Sequence, residues 1–293
     1  MKIIDFIEIG PRDGFQNVRE FIPTEIKLET IDRLVDAGIK KLMVTSFVSP
    51  KIVPQMKDAR EVAQICVNKY PEVCCSALVP NLKGAQNAVA TGIKELTVVI
   101  SVSASHNKAN INRTHEESLM DLKKILDEYP DVIVTVDLAT TFGCPFEGEI
   151  HLEQVRKMVQ KCHNLGVRSI DLCDTIGIAY PSQVRKYTTT LLQEYPDVKF
   201  GVHIHDTRNM GIVNTLAAIE CGITTIQASI GGLGGCPFAP GASGNTSSED
   251  LIYMLNRMGY DTGVDFKKIL DAAHYVHEHV SGNYSGHHLF IKR

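Results

Sequence analysis

The chain has 293 residues, 44% of them hydrophobic, with 30 Lys and Arg against 34 Asp and Glu for a formal net charge of −4. That length suits one large α/β domain or two smaller ones and buries a core without staples, while the acidic balance argues against a nucleic-acid protein, which carries a basic excess. No apolar run approaches the ~20 residues of a membrane span, and the acids in the first apolar stretch speak against a signal peptide, so a cytoplasmic protein is expected.

Short β-branched runs alternate with longer stretches of helical period. Ile3 to Ile9 reads as a strand, and Thr24 to Ala37 as a helix ending at Gly38. Lys41 to Thr45 is a second strand and Lys57 to Lys69 its helix; Val73 to Val79 and a helix from Leu82 to Ala90 follow. Glu95 to Ser101 is the fourth strand, followed by a helix from Thr114 to Glu128 that opens on a capping box of Thr114 and Glu117. Val132 to Leu138 precedes a helix from Leu152 to Leu165, and Ser169 to Cys173 precedes one from Pro181 to Glu194. Val198 to Ile204 leads to a helix from Met210 to Cys221, and Thr225 to Ser229 to one from Ser248 to Met258. Eight strand–helix units in a row are the count of a (β/α)8 TIM barrel. A doubly wound open sheet would need a Gly-rich phosphate turn or a long crossover at a switch point, and neither is present. One domain over residues 1–263 is therefore expected, with 264–293 as an extension whose helix, Phe266 to His279, packs on the barrel.

The eight cysteines include no Cys-x-x-Cys pair, which argues against a zinc ribbon or a redox dithiol. Cys162 and Cys221 fall on helices and read as core, Cys173 is ambiguous near a strand end, and Cys236 follows four glycines in Gly231-Gly232-Leu233-Gly234-Gly235. Those glycines allow tight, mobile backbone, as in a closing loop. A phosphate-binding turn there would want a helix directly after it, and Pro237 and Pro240 intervene.

Active sites of such barrels lie at the C-terminal strand ends. His203 and His205 stand two apart on a strand, so both imidazoles point to one side, ~6–7 Å apart by strand rise. They form either a hydrogen-bonded structural pair or two ligands of one metal. Asp13, at another strand end, would add an oxygen ligand, and Asn245 a fourth donor. A set of two nitrogens and two oxygens suits Mg²⁺, Mn²⁺ or a similar Lewis acid better than a closed zinc site. Beside Asp13, the fixed cation of Arg12 could stabilise an oxyanion.

Several motifs together resemble the 3-hydroxy-3-methylglutaryl-CoA lyase family. They are Gly10-Pro11-Arg12-Asp13-Gly14-Phe15-Gln16-Asn17, Thr45-Ser46-Phe47-Val48-Ser49-Pro50-Lys51, Gly143-Cys144-Pro145-Phe146-Glu147-Gly148, Asp174-Thr175-Ile176-Gly177, His203-Ile204-His205-Asp206-Thr207 and the run from Gly231 to Asn245. The resemblance implies metal ligands at Asp13, His203, His205 and Asn245. It implies substrate contacts at Arg12, Gln16 and Ser46, catalytic roles for Arg12 and Cys236, and a positioning or proton-relay role for Asp174. The chain departs from the family pattern at three places. Met43 stands where the family carries an acid, and Thr135 and Asp137 where it carries Arg and Tyr.

The implied activity is divalent-metal cleavage of a 3-hydroxyacyl-CoA, by default 3-hydroxy-3-methylglutaryl-CoA, to acetyl-CoA and acetoacetate. The alternative is a related metal aldolase, lyase or condensing enzyme on another hydroxyacid or acyl-CoA, and a non-catalytic metal-binding barrel is a third reading. The expected partners are a small-molecule CoA thioester, with Lys51, Lys83 and Lys108 as candidates for its phosphates, and further copies of the chain; neither nucleic acid nor a membrane is expected.

Overall fold

The computed structural model describes residues 2–235 and 244–291. A short strand β1 (Lys2–Ile3) precedes eight parallel strands that close a barrel in chain order: β2 (Asp5–Glu8), β3 (Lys41–Ser46), β4 (Cys74–Leu78), β5 (Glu95–Ser101), β6 (Ile133–Ala139), β7 (Ser169–Asp174), β8 (Lys199–Ile204) and β9 (Thr225–Ala228). The helices around them are α1 (Thr24–Asp36), α2 (Ala59–Lys69), α3 (Leu82–Val89), α4 (Ala104–Ile111), α5 (His115–Glu128), α6 (Leu152–Asn164), α7 (Pro181–Glu194), α8 (Gly211–Glu220) and α9 (Ser248–Arg257). After β10 (Tyr260–Asp261) come α10 (Phe266–His279) and a single 3-10 turn over His287–Phe290. The (β/α)8 TIM barrel with a C-terminal helical extension is the architecture read from the sequence. Among the described residues no helix is long and apolar enough to cross a membrane.

Three local differences have physical causes. The first predicted strand is two: β1 pairs with β10 outside the barrel, and only Asp5–Glu8 enters it. The helix α4 carries no hydrophobic stripe, because its buried side chains are the polar His106 and Asn107; Ser103 caps it by accepting from the His106 N–H at 3.0 Å. Cys221 lies just past α8 and is half-buried, not core, whereas Cys162 is fully buried.

The capping box forms as expected: Thr114 Oγ1 accepts from the Glu117 N–H at 3.2 Å, and Glu117 Oε2 accepts from the Thr114 N–H at 2.8 Å. The apolar core lies mostly between barrel and helices. Inside the barrel a smaller apolar cluster, Ile7, Ile9, Met43 and Leu78, fills one side. The other side is polar.

The extension joins both ends of the barrel wall. The Asp265 N–H donates to Ala37 O at 2.8 Å, and Arg33 lies over the Tyr275 ring at 4.3 Å. Farther on, the Ser285 and Gly286 N–H groups both donate to Gly231 O, at 3.1 and 3.0 Å. Asp250 of α9 accepts from the backbone N–H groups of His287 and His288. Beneath this crossing lies Glu249, fully buried, accepting from the Gly231 N–H at 2.9 Å. Burial pushes its carboxyl up to about 8, against the help of the backbone N–H groups.

Glu249 therefore holds its proton in the folded chain at pH values where the unfolded chain has lost it. Its contribution is fully present below about pH 4.5 and is lost as pH rises through about 8. Urea unfolding at a series of pH values should show stability falling across that window. Glu249→Gln should flatten the fall by up to about 1.4 kcal/mol per pH unit, and an unchanged slope would refute the assignment.

Candidate active site

After β2 the chain makes a wide π-helical turn over Gly10–Gly14, with the Asp13 N–H on Ile9 O at 2.7 Å. This turn brings Arg12 and Asp13, both buried, to the C-terminal mouth of the barrel. His203 comes from β8, His205 follows it, and their rings stand 5.2 Å apart. A bridge between His205 and Asn245 holds the second polar arm beside them. A cavity of about 930 Å³ opens here, lined among others by Arg12, Asp13, Gln16, Asp137, His203 and His205.

The hydrogen bonds form one connected network. Asp13 Oδ1 takes the ion pair with Arg12 and a bond from Gln16 Nε2 at 2.9 Å; Asp13 Oδ2 accepts from Asn245 Nδ2 at 2.7 Å. Asn245 Oδ1 lies 2.8 Å from His203 Nε2. On the ring's other side, Gln227 Oε1 lies 3.0 Å from His203 Nδ1. Gln227 Nε2 donates to Asp137 Oδ1 at 3.1 Å and to Asp171 Oδ2 at 2.6 Å. Because Gln227 is on β9 and Asp137 on β6, that bond crosses the barrel interior. Gly201 makes room for the arrangement, since a Cβ there would overlap Asp171 Oδ1.

His203 therefore faces an amide oxygen on each nitrogen, and both amides are turned that way by carboxylates behind them. A neutral imidazole has one N–H and can satisfy only one of those oxygens. A cation at the other nitrogen would resolve the conflict. Asp13, His203 and His205 each offer a ligand atom within 4.8 Å of the others, and among the described residues His205 Nδ1 is buried without a hydrogen-bond partner. This donor set fits a divalent cation, with Asn245 alongside.

The electrostatics agree. Burial opposes charge on Asp13, but Arg12 and the two histidines, aided by the Asn245 bond, hold its carboxyl below the usual range. Burial, with His203 adding to it, drives His205 down to about 3, which keeps the ring neutral for coordination. Burial raises both Asp137 and Asp171; the Asp13 charge adds to the rise at Asp137, and Asp137 adds to the rise at Asp171. Arg12 lies between acids: Asp13 on one nitrogen, and Asp137 Oδ2 at 3.9 Å from another, while its Nε donates to Met43 Sδ at 3.0 Å. Asp137 thus supplies Arg12 with a second acid beside Asp13, while Met43 meets it with a neutral thioether.

Not every residue singled out in the sequence meets the cavity. Ser46 is buried and its hydroxyl has no partner among the described residues; it does not line the cavity. Asp174 accepts from the Ile178 and Ala179 N–H groups at 2.9 and 3.0 Å, so it shapes the loop after β7 and stands behind the wall. Lys51, Lys83 and Lys108 do not line the cavity, whereas Arg113 does. Cys236 lies outside the described residues. Gln227, Asp171 and Cys173 were missed or left open, although the period-2 alternation of β7 and β9 already put polar side chains on an inward face.

Against known proteins, a family model described as HMGL-like matches residues 3–276. The hydroxymethylglutaryl-CoA lyase of Bacillus subtilis is 40% identical over 279 residues, 94% of this chain and 93% of that protein. The crystal structure of a B. subtilis HMG-CoA lyase superposes with a TM-score of 0.94 at 39% identity, covering 99% of this chain and 97% of the other. An HMG-CoA lyase from Acinetobacter baumannii, solved with coenzyme A and 3-methylmalate, has a TM-score of 0.93 at 35% identity, covering 99% and 95%.

Gln227 orients His203 without touching the cation position. Gln227→Leu should weaken Mn²⁺ binding to the metal-free protein about 10–100-fold, read by the electron paramagnetic resonance signal of free Mn²⁺. Unchanged affinity would show that the ring needs no such support.

Proposed function

The chain belongs to the HMGL-like family, and we propose that it is a divalent-metal-dependent carbon–carbon lyase that cleaves 3-hydroxy-3-methylglutaryl-CoA to acetyl-CoA and acetoacetate. The observation that carries this reading is the convergence of Asp13, His203 and His205 at a cavity whose wall also bears Arg12. The Acinetobacter relative holds coenzyme A and a small hydroxy diacid, the two halves of the ligand class this cavity would take.

Asp13, His203, His205 and Asn245 would hold the ion, and this mixed oxygen and nitrogen set suits Mg²⁺ or Mn²⁺. A bound divalent ion supplies Lewis acidity that lowers the pKa of the substrate hydroxyl. Asp137 lines the cavity, and burial holds its carboxyl above the usual range; it can take the hydroxyl proton. The oxygen then forms the carbonyl of acetoacetate, and the breaking C2–C3 bond leaves its electron pair on the acetyl thioester as an enolate. Arg12 faces that developing charge with a fixed guanidinium. Cys236, by resemblance, returns a proton to the enolate carbon, which balances the reaction. Gln16 lines the cavity, donating to Asp13, and would contact the substrate. Asp174 positions the loop after β7.

Residues 1–263 would form the catalytic barrel and 264–293 a buttress. A cytoplasmic location agrees with the free thiols of all seven described cysteines. Assembly into a homo-oligomer belongs to the same reading and is open to sedimentation analysis.

The setting of Arg12 favours a second reading, a related lyase or aldolase for another hydroxyacid or acyl-CoA. With Met43 on one side and Asp137 on the other, the cavity floor has more negative charge than positive, which suits acyl groups bearing hydrogen-bond donors rather than a free carboxylate.

Mass spectrometry of products from 3-hydroxy-3-methylglutaryl-CoA should show acetyl-CoA and acetoacetate. Chelation should abolish turnover, and Mg²⁺ or Mn²⁺ should restore it. No turnover by the metal-loaded protein, with cleavage of a different hydroxyacyl ester, would select the second reading. Arg12→Gln should lower kcat about 10²–10³-fold, and a change confined to KM would place Arg12 in binding alone.

A further inference from the structure

The cavity floor carries a second donor set beside the first. Asp137, Cys173 and His203 are buried, line the cavity, and offer ligand atoms within 4.8 Å of one another. Three neighbouring strands bring them together: Cys173 of β7 pairs in register with His203 of β8, and Asp137 of β6 pairs with Asp171, two residues before Cys173. The chemistry differs from that of the Asp13 set, because one donor is sulfur. Thiolates select borderline and soft cations, whereas carboxylate and amide oxygens suit Mg²⁺ and Mn²⁺. We propose that Asp137, Cys173 and His203 bind a thiophilic divalent cation such as Zn²⁺, in competition with the oxygen-preferring ion at Asp13.

Asp137 and Cys173 each have a lone pair to give, and His203 would exchange one of its two amide contacts for the ion. Gln227 occupies Asp137 Oδ1; among the described residues Oδ2 accepts no hydrogen bond, Arg12 standing 3.9 Å away. Among the described residues the Cys173 thiol makes one bond, donating to Asp171 O at 3.4 Å; burial with Asp137 and Asp171 holds its proton on, so the cation has to displace that proton. On binding, the S–H bond breaks, the sulfur gives its electron pair to the cation, and the proton leaves to solvent. Charge balance favours the step: Asp13 and Asp137 face one guanidinium, so a divalent ion with one new thiolate brings the floor to neutrality. Competition follows from His203. A neutral imidazole carries one lone pair, so the ring serves one ion at a time, whichever nitrogen is used.

The test needs no substrate and is independent of the lyase reading. Metal-free full-length protein is titrated with Co²⁺, whose thiolate complexes absorb in the near ultraviolet by sulfur-to-cobalt charge transfer. The band should form in the unmodified protein and in Cys236→Ser, and be absent from Cys173→Ser and Cys173→Ala. Retained Mn²⁺ binding shows that these two variants are folded. Asp137→Asn should raise the apparent Co²⁺ Kd at least about tenfold, a second readout that leaves the cysteine in place. Added Mn²⁺ should raise the same Kd in the unmodified protein. No band, or a band lost in Cys236→Ser and kept in Cys173→Ser, overturns the site; a band indifferent to saturating Mn²⁺ overturns the sharing of His203.

Discussion

His203 between two amide oxygens is the constraint on which the site is built. Asn245 Oδ1 and Gln227 Oε1 face its two nitrogens at 2.8 and 3.0 Å, and neither amide is free to turn. Asn245 gives its N–H groups to Asp13 and Leu233 O, and Gln227 gives its own to Asp137 and Asp171. Reversing either amide would set an oxygen against a carboxylate. The conflict at a neutral imidazole is thus set from behind, and a cation at one nitrogen would relieve it. Burial makes this pressure large, because an unmatched polar atom in a low-dielectric interior costs far more than one in water.

The cost of such an interior is spread over the barrel. One side is closed by Ile7, Ile9, Met43 and Leu78, as in an ordinary barrel core. The other holds Asp137, Asp171, Cys173, His203 and Gln227, and is stable because its acids share one amide donor and Gly201 leaves space for a carboxyl. Arg12 sits on the boundary, with a thioether on one side and carboxylates on the other. Specificity for the acyl group would be decided at that boundary, since the groups that face each other there differ most in polarity.

Much of this was legible in the sequence. Strands and helices alternate with a clear change of period, so the barrel could be counted. His203 and His205 could be paired from strand geometry alone. Asp13 and Asn245 were readable as oxygen donors at other strand ends. What escaped the sequence was contact between strands far apart in the chain. Nothing in the neighbourhood of Gln227 announces that its amide reaches Asp137, 90 residues away. Asp174 shows the opposite case: a carboxylate at a strand end looks catalytic, and here two backbone N–H groups of its own loop also bond to it. The helix α4 escaped because burial of His106 and Asn107 leaves no apolar stripe to read.

The glycines before Cys236 show how one composition can serve two purposes. As sequence, Gly231-Gly232-Leu233-Gly234-Gly235 reads as freedom. In the structure the first two are buried and pinned, with φ of +65° and +64°. The Gly231 N–H goes to Glu249 and its carbonyl takes two N–H groups from the C-terminal segment. A Cβ on Gly232 would overlap Ser285 Oγ, whose hydroxyl lies 3.3 Å from Asn245 O. Glycine at these two positions serves close approach. The chain end therefore reaches the same backbone that carries Asn245, so the extension is coupled through a few short contacts to the donor that faces His203. Loosening the segment around Ser285 would be felt at the cation position before it was felt in the barrel wall, because the wall is held by eight strands and Asn245 by a handful of hydrogen bonds.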